Sequence, residues 1–261
     1  MIRPWLPCFA LALALASAGA QAADYVRVPG APFESALTSG EKGEAVGVAT
    51  FDLRATPVSN GEFAAFVRTH PQWRRDRVAP VFADPGYLTQ WASADDPGDA
   101  AEAARPATQV SWFAAQAYCE SEQARLPLWI EWELAAAADE KRRDARDDPA
   151  WRERILAWYA RPSSAALPPV GGAANAYGAR DLHGLVWEWV EDFNALMIDA
   201  DSRNQGDPDR LRFCGAGALS MRDRDNYAVL MRIALLSSLS ARSTTVNLGF
   251  RCARPAPKET P

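Results

Sequence analysis

Residues 110–138, "VSWFAAQAYCESEQARLPLWIEWELAAAA", decide the fold because they join two apolar helical patterns through one proline. Ser111 stands directly before the first pattern, where a hydroxyl can cap free helix amides. Pro127 stands before the second, and proline is favoured in the first turn of a helix. We predict one helix after Ser111 and another opening near Pro127, where Leu128 cannot cap as serine would.

The flanking segments predict further short elements. Residues 24–58 read as short strands and turns. Ser59 and Glu62 have the spacing of a capping box, so a helix should begin there and end near Pro71. "PAWRERILAWYARP", residues 149–162, is another short helical candidate.

The rest of the chain indicates one domain. Residues 72–106 read as a loop, and the charged run 139–148 reads as a solvated helix face. After Pro168 the pattern favours turns and short strands. With no repeat or clean linker, the simplest prediction is a single α+β domain over residues 24–254, followed by a Pro-rich tail, residues 255–261.

The first 22 residues resemble a secretory signal peptide. Arg3 precedes an apolar, alanine-rich run, and residues 20–22 have the small-residue pattern of a cleavage site. We therefore expect export to a bacterial periplasm and no membrane anchor after cleavage. The net charge of −5, with Lys and Arg scattered, gives no electrostatic footprint for nucleic acid.

Few cysteines and histidines are available for chemistry. Beyond the signal, Cys119, Cys214 and Cys252 suggest one disulfide and one spare thiol, but their spacing does not choose the pair. His70 and His183 are the two histidines of the sequence, which excludes a three-histidine iron or zinc site.

The block "HGLVWEWVEDF", residues 183–193, raises the question of a buried charge. Its alternation places Glu188 on one face with Val186 and Val190, and the two tryptophans on the other. A buried carboxylate needs a partner or a cation. Two alternatives stay open, a bound ion and an ion pair with Arg180 or Arg251.

Four segments in order resemble the sulfatase-modifying-factor, or formylglycine-generating-enzyme, family. They are residues 51–67, 110–138, 175–193 and 247–253, the last ending in Gly-Phe-Arg-Cys-Ala. The resemblance implies an irregular α+β fold related to the C-type lectin fold, with little regular secondary structure.

The resemblance also implies a structural calcium site and a disulfide. The calcium ligands would be the side chains of Asp181 and Glu188 and the backbone carbonyls of Gly184 and Val186. Such oxygens suit calcium. The family joins the positions of Cys119 and Cys252 in a disulfide, which would leave Cys214 as the spare thiol.

This chain departs from the family at the active site. Formylglycine-generating enzymes hold copper(I) with two thiols, and here those positions carry Asp223 and Ala228. Neither side chain replaces a thiolate for Cu(I), so copper is not expected. Of a usual pair of arginines only Arg232 is kept, with Leu236 at the second place.

A cleft is still predicted where the family's active site would be. Its candidate residues are Cys214, Asp223, Asp225, Asn226, Tyr227 and Arg232. A solvated loop would have the same sequence pattern. Cys214 is either a small packed residue or one ligand of a makeshift copper site with a methionine.

The leading interpretation is an exported accessory or maturation factor that does not generate formylglycine. It resembles the family members that accompany copper-containing nitrite reductases, so we expect a periplasmic protein partner. The alternatives are a lectin-like module that binds a ligand or protein, and an oxidase with a rearranged site. The sequence leaves open whether the protein is an enzyme.

Overall fold

The computed structural model describes residues 24–37, 45–161, 166–195 and 227–257. The strands are β1 (Tyr25–Val28), β2 (Ala31–Phe33), β3 (Val46–Val48), β4 (Phe51–Arg54), β5 (Trp187–Glu188), β6 (Leu248–Gly249) and β7 (Ala253–Pro255). The helices are α1 (Asn60–Thr69), α2 (Ala100–Ala103), α3 (Trp112–Ser121), α4 (Trp129–Ala136), α5 (Pro149–Tyr159) and α6 (Tyr227–Ser237), with 3₁₀ turns at Pro71–Trp73 and Phe193–Ala195. The mixture of short helices and strands is the predicted α+β class.

Three small sheets join distant parts of the chain. β4 lies between β1 and β7 in an antiparallel sheet, with Leu53 opposite both Val26 and Ala253. β2 and β3 pair antiparallel, and β5 pairs in parallel with β6 through Trp187 and Leu248. β7 therefore brings the C-terminal end against β4, and its last residue is the first of the predicted tail.

The predicted caps of α1 and α3 are present. Ser59 and Glu62 form a reciprocal capping box at the start of α1. The Ser111 hydroxyl accepts the Ala114 N–H at 3.2 Å at the start of α3. These local hydrogen bonds satisfy amides that a helix leaves free, so both boundaries follow from nearby sequence.

α4 is capped by carboxylates instead of a hydroxyl. Glu131 accepts the Leu128 N–H at 2.9 Å, and Asp192 accepts the Trp129 N–H at 2.8 Å. Asp192 comes from the Trp-Glu-Trp block, 63 positions further along. Two of the four segments that carry the family resemblance, residues 110–138 and 175–193, are thus joined at this helix end.

Two sequence predictions are wrong, and the predicted loop, residues 72–106, also contains the short helix α2. Residues 139–148 form turns, not a helix face, because the Asp139 carboxylate accepts the Lys141 and Arg142 amides and so competes with helical hydrogen bonds. The region after Pro168 contains the helix α6, where turns and short strands were predicted. Its alanine, leucine and methionine residues favour a helix.

One hydrophobic core runs through the described parts of the chain, and a disulfide crosses it. The Cys119–Cys252 disulfide links α3 to the segment before β7, and both cysteines are fully buried. This is the pair that the resemblance implies. Within the described ranges, no helix has the length and apolar character that crossing a membrane needs.

Candidate functional site: a sealed ionic centre beside an open groove

Glu188 forms a buried ion pair with Arg251. Arg251 Nε donates to Oε2 at 2.9 Å and Nη2 donates to Oε1 at 2.8 Å, and both side chains are fully buried. The indole N–H of Trp132 also donates to Oε2 at 2.8 Å. Both carboxylate oxygens are therefore engaged. Of the two alternatives for this carboxylate, the structure contains the ion pair with Arg251.

Arg251 also donates to three backbone carbonyls in two segments of the chain. Its Nη1 donates to the carbonyls of Arg54 and Ala55 at 3.2 Å, and its Nη2 donates to the Arg180 carbonyl at 2.7 Å. A guanidinium has five N–H donors in a fixed fork, so one arginine can serve all these acceptors. The residue fixes the end of β4 against the loop before the Trp-Glu-Trp block.

Arg232 completes this centre from α6. Its guanidinium lies 3.6 Å from the centroid of the Trp132 ring and donates to the backbone carbonyl of Glu188. Burial lowers the pKa of Arg232 to about 10, against the opposing effect of the Glu188 carboxylate. Its Nε has no partner among the described residues. We call Glu188, Arg251, Arg232 and Trp132 the ionic centre.

The predicted calcium ligands have other partners. The Asp181 carboxylate accepts amide hydrogens from residues 171–172 at 2.7 and 3.0 Å, and Glu188 is engaged as above. Gly184 lies in a turn and Val186 directly precedes β5. Both carboxylates are therefore hydrogen-bonded in this structure, and the calcium site stays a prediction. In the ranges described, no three His, Cys, Asp or Glu side chains are grouped to hold a metal.

Only part of the predicted cleft can be placed. Cys214, Asp223, Asp225 and Asn226 lie outside the described residues. Tyr227 begins α6, and Arg232 reaches the ionic centre from the same helix. Of the six candidates, Arg232 is the one whose side chain lies within the described part of the structure.

α5 borders a groove that was not predicted from the sequence. Trp151, Arg154, Ile155 and Trp158 follow the i, i+3, i+4, i+7 spacing of one helix face, and all four line the same cleft. Ile155 is the one buried residue of this helix. The helical spacing of Trp151, Ile155 and Trp158 is visible in the sequence. The same spacing occurs on a helix face that packs against a core and on one that borders a cleft, so it does not predict which of the two is present.

The larger part of this groove is an aromatic cleft of about 350 Å³, which we call the Trp187 cleft. It is lined by Trp158, Tyr159, Leu167, Pro168, Trp187 and Asn247. The Trp187 ring lies 5.6 Å from Trp158 and 4.8 Å from Tyr159, centroid to centroid. Burial raises the pKa of Tyr159. Trp187 of the cleft directly precedes Glu188 in β5, so the cleft lies beside the ionic centre.

The second part is a cleft of about 220 Å³, which we call the His183 cleft. His183 Nε2 lies 3.0 Å from the Ala136 carbonyl, and its ring makes edge contacts with Trp132 and Trp151. Burial lowers the pKa of His183 to about 4. Trp158 and Arg161 line both clefts, so the two form one groove along α5.

The comparison with known families covers nearly the whole chain. Residues 12–256 match the family model for the sulfatase-modifying factor enzyme 1-like domain. The chain belongs to this family. A formylglycine-generating enzyme from Streptomyces coelicolor is 30% identical over 283 aligned positions, which cover 88% of this chain and 89% of the relative.

Other members of the family differ in activity and length. An "inactive C-alpha-formylglycine-generating enzyme 2" from Bos taurus is 26% identical, over 90% of this chain and 89% of its own. The hercynine oxygenase of Mycolicibacterium smegmatis is 31% identical over 63% of this chain. The chain spans only 44% of that relative. The solved structure of Treponema denticola variable protein 1 matches with a TM-score of 0.49 and 15% identity, over 89% of this chain and 95% of that one.

Proposed function

We propose that this protein is an exported accessory or maturation factor of the family, which binds a partner protein and does not generate formylglycine. The sequence supports this proposal at the two positions where the family has copper-binding thiols, because this chain carries Asp223 and Ala228 there. A carboxylate and a methyl group cannot take the place of two soft thiolates around Cu(I). A relative whose name describes it as inactive aligns along 90% of the chain, so the family includes members of that kind.

The observation that carries the proposal is the Trp187 cleft. Three aromatic rings, from Trp158, Tyr159 and Trp187, lie in contact and are each only partly buried. Tryptophan and tyrosine dominate the energetics of protein interfaces because they bury large areas with few rotatable bonds. An open cleft of about 350 Å³ beside them can receive an apolar anchor side chain of a partner.

The location of the cleft agrees with this role. Arg232, which the family resemblance places in the active site, lies on α6 and donates to the backbone carbonyl of Glu188, the residue that follows Trp187 of the cleft. A partner held at the Trp187 cleft would therefore occupy the side of the domain where the family carries out its chemistry. We propose a periplasmic copper enzyme of the nitrite reductase type as the partner.

The test compares two variants on one helix. Trp158→Ala removes a ring of the cleft, whereas Glu153→Ala removes an exposed side chain of α5 that lines neither cleft. Each form is co-expressed with the copper nitrite reductase of the same organism, and the retained reductase is quantified after purification from the periplasm. We expect Trp158→Ala to lose at least about tenfold of the retained reductase, as interface anchors do, and Glu153→Ala to behave as wild type. Equal retention by both variants would overturn the role of the cleft.

A further inference from the structure

The aromatic rings of the Trp187 cleft are inclined to one another and do not form one flat platform. The Trp187 ring is inclined by 51° to Trp158 and by 57° to Tyr159, and the last two rings are inclined by 66° to each other. Leu167 and Pro168 add an apolar border. A flat ligand packs on one ring face at a time, whereas a ligand whose own rings point in several directions can pack against more than one of these faces.

Each of these aromatic side chains carries a hydrogen-bond donor that the described part of the protein does not use. The indole nitrogens of Trp158 and Trp187 and the hydroxyl oxygen of Tyr159 have no hydrogen-bond partner among the described residues, and all three atoms retain accessible surface. In contrast, five other tryptophans donate their indole N–H within the protein, namely Trp91, Trp112, Trp129, Trp132 and Trp189. The donors of the cleft therefore remain open to a ligand.

The side chains of the Trp187 cleft offer more donors than acceptors. The side-chain oxygen of Asn247 already accepts the Thr245 hydroxyl at 3.0 Å, so its amide N–H groups are what it can offer. Arg161 at the border only donates. Burial raises the pKa of Tyr159, so its hydroxyl keeps the hydrogen near neutral pH. Within the described ranges no carboxylate side chain lines this cleft. The cleft therefore suits a ligand that presents acceptors and few donors.

A polyproline II segment has this hydrogen-bonding character. Proline has no N–H, and the polyproline II helix has no internal hydrogen bonds, so its carbonyl oxygens are free acceptors. About three residues complete each turn, so successive proline rings point in directions about 120° apart. Aromatic-lined grooves bind such segments because the extended helix is formed before binding. A sugar fits less well, since its hydroxyl groups also need acceptors.

We propose that the Trp187 cleft binds a proline-rich segment of the partner protein in the polyproline II conformation. Proline rings pack against Trp158 and Trp187, and the two indole N–H groups and the Tyr159 hydroxyl donate to carbonyl oxygens of the segment. This inference rests on the function proposed above, because it names the part of a partner protein that the cleft holds.

Three probes test the proposal on the mature protein by isothermal titration calorimetry. Acetylated and amidated hexa-L-proline is the proposed ligand type, hexasarcosine with the same end groups keeps the acceptor-only backbone without the proline rings, and maltohexaose represents a sugar. We expect hexaproline to bind at least about tenfold more tightly than hexasarcosine, because each proline adds apolar ring atoms that the cleft can bury. No heat from hexaproline at millimolar concentration, equal affinity for hexasarcosine, or tighter binding of maltohexaose overturns the proposal.

Two variants test the donors without removing the rings. Trp187→Phe and Tyr159→Phe each remove one donor and keep an aromatic side chain, so each should weaken the binding of hexaproline by about fivefold. The matched control is Trp73→Phe, because the Trp73 indole N–H also has no partner among the described residues but Trp73 lines neither cleft. Its affinity should equal that of the wild type. Unchanged affinity in Trp187→Phe and Tyr159→Phe, or the same loss in Trp73→Phe, would contradict the proposed contacts.

The reductase co-purification described above gives an independent result. If Trp158→Ala loses the reductase while hexaproline does not bind the wild type, the proline-rich ligand is wrong and the accessory role stands. If hexaproline binds with the expected losses in the variants and no reductase is retained, the proline-rich ligand is supported and the proposed partner is wrong. The two proposals can therefore fail separately.

Discussion

The ionic centre and the groove along α5 use the same residue types in opposite ways. At the centre, Arg251, Arg232 and Glu188 are at most 1% exposed, and the Trp132 ring lies against one guanidinium. Along α5, tryptophans and arginines are partly exposed, and Ile155 alone is buried. At the centre, the enclosed and paired charges fix backbone segments, whereas the charged side chains of α5 lie at the surface beside the cleft. The extent of burial therefore separates the ionic centre from the groove, which we propose as the binding surface.

The largest effect is expected from breaking the ionic centre. Glu188→Gln leaves Arg251 and Arg232 buried without a countercharge, so the free energy of unfolding should fall by about 3–5 kcal/mol. The matched control is Glu140→Gln, which breaks the exposed pair with Arg154 and should cost less than about 1 kcal/mol. Urea unfolding followed by tryptophan fluorescence measures both. Similarly small decreases in the free energy of unfolding of the two variants would show that the ionic centre does not stabilise the fold.

Removing the disulfide next to this centre should have the second-largest effect. Cys252 follows Arg251 directly, and its bond to Cys119 closes 133 positions of chain. Cys119→Ala together with Cys252→Ala should lower the free energy of unfolding by about 2–5 kcal/mol, because the unfolded chain regains entropy. The same urea series, run with and without a thiol reductant, checks this. A reductant that destabilises the double variant as much as the wild type would contradict it.

A second buried carboxylate should respond to pH, because it lacks a bidentate arginine. Glu133 accepts from neutral donors, the Ser35 hydroxyl, the Ala36 amide and the Trp129 indole, and burial raises its pKa. Since the native state binds this proton more tightly than the unfolded chain, ionised Glu133 costs stability at high pH. That cost falls as pH drops through the raised native pKa and is gone below the ordinary value.

Glu133→Gln does not ionise and isolates this contribution. The free energy of unfolding of wild type minus that of Glu133→Gln should increase as pH falls through the raised native pKa toward the ordinary carboxyl value. Urea unfolding at several pH values gives the difference directly. A difference that is constant, or that decreases toward low pH, would mean that burial does not govern Glu133.

The smallest effect is expected from chelation. With Glu188 engaged by Arg251 and Trp132, EDTA should leave the unfolding midpoint of the wild type unchanged. If calcium instead binds at Asp181 and Glu188, EDTA would lower the midpoint and Glu188→Gln would remove that sensitivity. Thermal unfolding of protein purified without chelator, with calcium or with EDTA, separates the two cases.

Local sequence was enough for several features of the fold. The Ser59–Glu62 box and the Ser111 cap were predictable because their hydrogen bonds span only three residues. The alternation from Val186 identified Glu188 as buried, and Arg251 was one of two candidate partners. Choosing Arg251 required the three-dimensional structure, since the pair joins residues 63 positions apart.

Other features depended on distant packing. The cap of Trp129 by Asp192 and the cleft walls on α5 arise from segments that meet only in the folded chain. Trp151 and Trp158 read as an ordinary amphipathic face, because a helix carries the same spacing against a core and beside a cleft. α6 was missed although its residues favour a helix, since the flanking sequence suggested turns.

The central claim is that this member of the family binds and does not oxidise. The most direct measurement incubates the mature protein with Cu(I), a thiol reductant, oxygen and a peptide carrying the sulfatase cysteine motif, followed by mass spectrometry of the peptide. The Streptomyces coelicolor formylglycine-generating enzyme, 30% identical, is the positive control. We expect the control to convert cysteine to formylglycine and this protein to leave the peptide unchanged. Formylglycine made by this protein would contradict the account.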